Sequence, residues 1–224
     1  GISVEYGVGS YAVRDEYISK ERYSGTLPYF GLNWARNHDG YVYDFSMEFR
    51  SSSDVRNNNV SADNYLFAFN QGFLYSLHPI SLFSRDVHAF VGPSTELYFF
   101  YNRQNIAVSG FDYAQSFAAL LSLGARSEAI FPIRQSLQVE GSLAFSLLSL
   151  GFRMVDFEEE DVSPAKLLTL FSGMNISAGL GARYFLAGDL SVKLAYRFHM
   201  TRISSWDPLL SASDNVVVTL TYGL

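Results

Sequence analysis

Acids and bases able to pair, hold an ion or move a proton recur in this chain on one parity of alternating segments, many of them between apolar neighbours. They are Glu5, Asp44, Glu48, Arg50, Glu96, Arg126, Glu140, Arg183, Lys193 and Arg197, with Asn70, Gln138 and His199 on the same parity. Acids and bases nearly balance, so within a confined interior they are expected to pair, because an unpaired buried charge is strongly destabilising. Two uses follow: a salt-bridged polar filling that rigidifies the interior, or the lining of a narrow path for small solutes. Catalysis would need a nucleophile or a water-activating pair, normally with a histidine. His38 falls in a tight turn, His78 in a short connection and His88 at the start of a strand, so attention goes to His199 in "YRFHMTRIS", with Thr201 and Arg202 beside it and Asp207 and Asp214 following. A separate acidic run, Asp156, Glu158, Glu159, Glu160 and Asp161, lies in the longest loop and is the candidate contact for a partner or a cation.

The elements that must position these groups are strands. In "SLQVEGSLAFSLLSLG", Leu137, Val139, Leu143, Phe145 and Leu147 take one parity while Gln138, Glu140, Ser142, Ala144 and Ser146 take the other, the two-residue period of a β-strand. About ten such segments are expected. They are centred on Val4 to Gly9, Ser24 to Arg36, Tyr41 to Arg50, Asn64 to Tyr75, Val87 to Tyr101, Tyr113 to Glu128, Ser136 to Gly151, Gly173 to Leu186, Leu190 to His199 and Val216 to Leu224. The connections fall into two classes. Those around Arg14 to Tyr23, Ser51 to Asp63, Asn102 to Asp112, Phe152 to Ser172 and Ile203 to Ser213 read as long and polar, whereas the intervening ones are shorter and include the tight turns "NHDG" and "AGD". An up-and-down barrel collects all the long loops at one end and all the short turns at the other, the asymmetry of transmembrane barrels.

Which face is inside follows from composition. A soluble barrel would carry long charged side chains on its wet face. Here the polar face is mostly Gly, Ala, Ser and Asn with isolated charges, and lysine is limited to Lys20, Lys166 and Lys193. Ten strands' worth of Phe, Tyr, Leu and Met would overfill so small an interior, but facing lipid they are unconfined. Aromatic residues also gather at both ends: Trp34, Tyr41, Tyr75, Tyr184 and Tyr222 by the short turns, and Tyr29, Tyr65, Phe99, Tyr101, Tyr113 and Phe198 by the long loops. These read as two interfacial girdles. The predicted fold is therefore all-β, a transmembrane up-and-down antiparallel β-barrel formed by the whole chain, 1–224, as a single domain.

Composition narrows the function. At 224 residues with 48% hydrophobic residues, the chain nonetheless contains no apolar run of helical-span length. A net charge of -6 offers no basic surface for nucleic acid, and the absence of cysteine removes disulfides and thiolate chemistry. The start at Gly1 without an initiator Met fits an exported chain whose signal has been removed.

On the alternating segments, loop asymmetry and girdles just described, the chain resembles small bacterial outer-membrane β-barrel proteins. Its end, "NVVVTLTYGL", is similar to their C-terminal assembly strand, with Tyr222 two residues before a terminal Leu224. That resemblance implies residence in the bacterial outer membrane, in contact with outer-membrane lipid, lipopolysaccharide and other envelope proteins. Two enzyme families are also faintly similar. The outer-membrane lipid A deacylases place a His two residues before a nucleophilic Ser, matched here by His199 and Thr201, but their site faces lipid and parity turns these two inward. The ten-stranded omptin proteases match in strand count and imply acids and a His–Asp pair at the outer rim, for which Asp207 and Asp214 near His199 would serve. The expectation is a non-enzymatic structural or interaction protein with no cofactor and no metal, acting through its exposed loops or as a subunit of an envelope complex; the alternative is a narrow channel.

Overall fold

The computed structural model describes residues 1–57, 60–105, 114–154 and 165–223. Thirteen strands succeed one another: β1 (Ile2–Asp15), β2 (Ser19–Thr26), β3 (Tyr29–His38), β4 (Tyr41–Arg56), β5 (Ser61–Ser76), β6 (Ile80–Leu82), β7 (Arg85–Gln104), β8 (Ala114–Arg134), β9 (Leu137–Met154), β10 (Ala165–Thr169), β11 (Gly173–Phe185), β12 (Leu190–Ile203) and β13 (Leu209–Tyr222). β2 with β3, and β10 with β11, each make one interrupted stave, while β6 is a small hairpin partner of the start of β7. The result is a closed antiparallel barrel of ten strands, sealed where β1 pairs β13 from Ile2↔Tyr222 to Asp15↔Leu209.

The staves are longer than the hydrophobic alternation alone suggests. β1 continues to Asp15, β4 to Arg56, β12 to Ile203, and β13 starts at Leu209, so most of the segments 14–23, 51–63 and 203–213 are paired strand rather than loop. β7 and β8 run 20 and 21 residues, against about 9–11 needed to span a bilayer. The excess stands beyond the membrane. There the polar sequence disguised the strands, because they lie in water and no longer present lipid-facing apolar residues.

Along one strand the faces keep their direction while their chemistry exchanges. On β1 the outward side chains are Ile2, Val4, Tyr6 and Val8, then Ser10, Ala12 and Arg14; the inward ones are Ser3, Glu5, Gly7 and Gly9, then Tyr11, Val13 and Asp15. Val4, Leu180, Leu194 and Val216 are 59%, 62%, 56% and 55% exposed, and they belong to an outer belt of apolar side chains. In lipid such a belt is at home. Beyond it the barrel follows soluble rules: Tyr11, Val13, Tyr23, Leu27, Val55, Ala62, Leu66, Tyr98, Phe100, Ala118, Leu120, Leu168, Ile203 and Leu209 form one buried cluster across the interior, joined by Val60 and Trp206.

A bulge in β9 shifts the parity once. Leu123 pairs with Leu148 but Gly124 pairs with Ser146, leaving Leu147 as the extra residue. Below it Leu143 is exposed outward; above it Leu148, Leu150 and Phe152 are, and Ser149, Gly151 and Arg153 turn inward.

Trp34, Tyr75, Tyr184 and Tyr222 lie exposed on the outer face at the short-turn end and Tyr65 at the opposite end. Tyr113 lies outside the described residues. Tyr29 departs from its expected place. It is 1% exposed and points inward, because the stave is interrupted between β2 and β3 at Leu27 and Pro28 and the outward parity is carried by Phe30, Leu32 and Trp34.

Candidate functional site

The interior carries the chemistry, in tiers set by strand register. In the lowest, Glu140 of β9 receives Arg183 Nε and Lys193 Nζ, each at 2.5 Å. Arg183 Nη1 also donates to Thr221 Oγ1 at 2.8 Å and to Ser191 Oγ at 3.1 Å, so the tier ties β9, β11, β12 and β13 together. Across the lumen Arg126 bridges two carboxylates, Asp44 at 2.9 Å and its strand neighbour Glu128.

A second tier is built on Glu5. Arg197 grips it through both guanidinium ends, Nη2 to Oε1 at 2.5 Å and Nη1 to Oε2 at 2.6 Å, while the Tyr29 hydroxyl donates to Oε2 at 2.6 Å and Thr219 Oγ1 to Oε1 at 3.0 Å. The Tyr29 ring lies between two cations, with Arg197 and Arg50 at 5.5 and 5.2 Å from its centroid. Arg50 completes the tier by pairing with Glu48 at 2.8 Å and donating to Ser213 Oγ at 2.6 Å. Two glycines leave room for these groups. A Cβ on Gly31 would stand 2.8 Å from the Tyr29 hydroxyl and 2.9 Å from Glu5 Oε2, and one on Gly72 would stand 2.7 Å from Asp44 Oδ1. Gly31→Val is accordingly expected to cost about 1–3 kcal/mol by overpacking, read as a lower urea midpoint for unfolding from lipid; an unchanged midpoint would mean the tier is loosely held.

His199 sits above this tier, 7% exposed and stacked on Tyr98 at 5.6 Å and 18°. Its partners form a chain with a defined direction. Asn175 Nδ2 donates to Glu96 Oε2 at 2.5 Å, which turns Asn175 Oδ1 toward Thr201; the Thr201 hydroxyl donates to that oxygen at 3.0 Å, and His199 Nε2 lies 3.1 Å from Thr201 Oγ1. Since Thr201 has spent its one proton on Asn175, His199 Nε2 must carry a proton and donate it. A base that activates a nucleophile does the opposite. The His199–Thr201 pair is thus wired as a buried hydrogen-bond chain, with Thr201 fully buried.

The uppermost group was not legible as a site. Arg153 Nη2 pairs with Asp15 Oδ1, and both side chains are 0% exposed. Ser116 Oγ and Asn102 Nδ2 donate to the other oxygen of Asp15, while Arg153 Nη1 donates to the Asp207 carbonyl and its guanidinium lies 5.8 Å from the Tyr17 ring. Arg153 follows the parity shift at Leu147, and Asp15 falls in a segment read as loop, so simple alternation does not find them. Glu128, two residues from Arg126, was accessible to the parity rule. Asp207 contributes only its backbone here, and Asp214 stands on the outer face, where Tyr196 Oη and Ser10 Oγ donate to it; neither meets His199 as a rim dyad. The acidic run 156–161 lies outside the described residues. Among the described residues no group of three or more acidic, histidine or cysteine side chains is arranged to hold a metal.

A closed ten-strand barrel with an apolar outer belt and a paired polar interior defines an outer-membrane β-barrel protein. No known protein-family profile matches the chain, and no curated protein sequence does. Among solved structures it is similar to the outer membrane protease OmpT from Escherichia coli, with a TM-score of 0.55 and 8% identity over 100% of this chain and 96% of that one. The translocator domain of the autotransporter NalP from Neisseria meningitidis aligns at a TM-score of 0.47 and 12% identity, covering 100% of this chain and 88% of that one. At 8% identity the likeness to OmpT is one of fold alone.

Proposed function

We propose that this barrel is a non-conducting post of the outer membrane, acting structurally or as an interaction partner of other envelope proteins through the end that stands beyond the lipid. The observation that carries this reading is the filling of the interior. The apolar cluster from Tyr11 to Leu209 lies across it, the Asp15–Arg153 pair caps that cluster, and paired charges occupy the lumen below. A water path through the barrel would have to displace a packed core of the kind found inside soluble domains. The strands that project beyond the belt make a rigid base for the connections they bear, which suits a protein recognised at its outer end.

Planar-bilayer recording tests the reading. The refolded protein is expected to insert without stepwise conductance. Single-channel steps whose size changes in Glu48→Ala or Arg197→Ala would assign the lumen to transport instead.

A further inference from the structure

We propose that a polar hollow inside the barrel, between β7, β8, β9 and β11, binds a monovalent cation about the size of a water molecule, with Glu96 as its counter-charge. The hollow lies one inward position below Tyr98 and Leu120 of the apolar cluster, and the proposal holds whether or not the lumen conducts.

Register assembles the lining. Ser94 and Glu96 of β7 pair with Gly124 and Ser122 of β8; Gly124 pairs in turn with Ser146 of β9, and Ser177 of β11 pairs with Ala144. Together with Asn175 these residues enclose a space with room for about one water molecule. Gly124 and Ala144 are small enough to leave it open, while Ser122, Ser146 and Asn175 are buried in its wall. No lysine, arginine or histidine lines it.

Charge sets Glu96 apart from the other acids of the interior. Glu5 is held by Arg197, Asp15 by Arg153, Asp44 and Glu128 by Arg126, Glu48 by Arg50, and Glu140 by Arg183 and Lys193. Glu96 has no ion pair among the described residues. Its Oε2 accepts from Asn175 Nδ2 at 2.5 Å, and its Oε1 meets no donor among them. An uncompensated carboxylate inside a barrel is strongly destabilising, so a cation or a proton must answer it. The hydroxyls decide between the two. Those of Ser94 and Ser177 have no hydrogen-bond partner among the described residues, Ser146 Oγ accepts from Asn175 N at 2.8 Å, and Ser122 Oγ shares one proton with Ser149 Oγ at 2.8 Å. A proton on Glu96 would engage one of these oxygens and leave the others unanswered, whereas a cation draws all of them, as oxygen ligands that replace a hydration shell do. One carboxylate balances one positive charge; divalent ions recruit several, and no second carboxylate lines the hollow. Its size admits potassium or ammonium and excludes bulky organic cations.

The test compares the refolded protein in potassium, ammonium and tetramethylammonium chloride at equal concentration, reading the temperature at which the folded band on a gel is lost. Potassium and ammonium are expected to raise that temperature by about 2–4 °C over tetramethylammonium, the shift that a ligand present at several times its Kd gives a chain of this size. Glu96→Gln, which keeps the shape and an acceptor for Asn175, is expected to abolish the difference, and Glu128→Gln, at a paired acid lower in the lumen, to preserve it. Thallium(I), which substitutes for potassium, supplies a readout that needs no variant: crystals of the wild-type protein soaked in it are expected to show anomalous scattering between Glu96 and Ser177. Equal transition temperatures in the three salts, an undiminished difference in Glu96→Gln, or a hollow without thallium would overturn the proposal and assign the counter-charge to a proton on Glu96.

Discussion

Replacing Asp15 with Ala is expected to destabilise the barrel by about 3–5 kcal/mol, one of the two largest single-site effects in the chain. The physical reason is what remains behind. Arg153 is fully buried, its guanidinium facing Asp15 Oδ1 and the Asp207 carbonyl, and without the carboxylate a cation would be stranded in a cluster walled by Asn102, Ser116 and the apolar core. Urea unfolding of the lipid-refolded protein reads the loss. The pair itself is a different matter, because an apolar replacement of both partners removes the desolvation cost along with the attraction. Asp15→Ala combined with Arg153→Met is therefore expected to recover most of the lost stability. A double variant as weak as the single one would show that the pair stabilises through its geometry with Asn102 and Ser116 rather than by charge neutralisation.

The second large effect lies on the opposite face. Leu143 is 46% exposed, on the outer side of β9 below the bulge and level along its row with Ala178 and Phe198. In lipid near the midplane, Leu143→Arg is expected to cost about 2–4 kcal/mol. Its neighbour Ser142 turns inward, where its Oγ would lie 2.7 Å from a Cβ on Gly179, and Ser142→Asn should be milder because that side offers hydrogen-bonding partners. Stability alone does not distinguish lipid from a dry protein contact, so labelling accompanies it: a cysteine at Leu143 should react with a lipid-phase probe and resist a water-soluble one. Rapid reaction with the water-soluble reagent would place Leu143 outside the bilayer and move the whole belt with it.

How far the sequence carries can be judged at these same residues. Alternation located the membrane-embedded part of each stave, since lipid on one side and a polar lumen on the other force opposite chemistries onto neighbouring positions. It therefore predicted the inward direction of Glu5, Glu48, Glu140, Arg183 and Arg197, whose partners were then supplied by register. It failed where the outside medium changes. On β1 beyond Val8 both faces become mixed, with Ala12 outside and Val13 inside, and a periodic signal no longer separates strand from loop. The extensions that carry Asp15, Tyr23 and Leu209 were hidden for that reason. Arg153 was hidden by a different mechanism, because one extra residue at Leu147 reverses the parity of everything after it. Tyr29 was misplaced by composition: a tyrosine close to a barrel end suits an interfacial girdle, and nothing local announces that Glu5, 24 residues away in sequence, will accept its hydroxyl hydrogen at 2.6 Å. The direction of the Glu96, Asn175, Thr201 and His199 chain needed coordinates from three strands.

The seam between β1 and β13 has a kinetic meaning. Its ladder joins Ile2 to Tyr222, so it closes nearly the whole chain as one loop, and contacts of such sequence separation form only after a large loss of chain entropy. Asp15 belongs to β1, Arg153 to β9, and the carbonyl that orients Arg153 belongs to Asp207 at the approach to β13. The cap on the interior is thus assembled from pieces that the seam itself brings together, and it belongs to the last steps of folding. Interactions made that late are absent from the transition state, so weakening them hastens unfolding and leaves the rate of folding nearly unchanged. The cap holds the finished barrel shut against opening, and the lower staves can find one another without it.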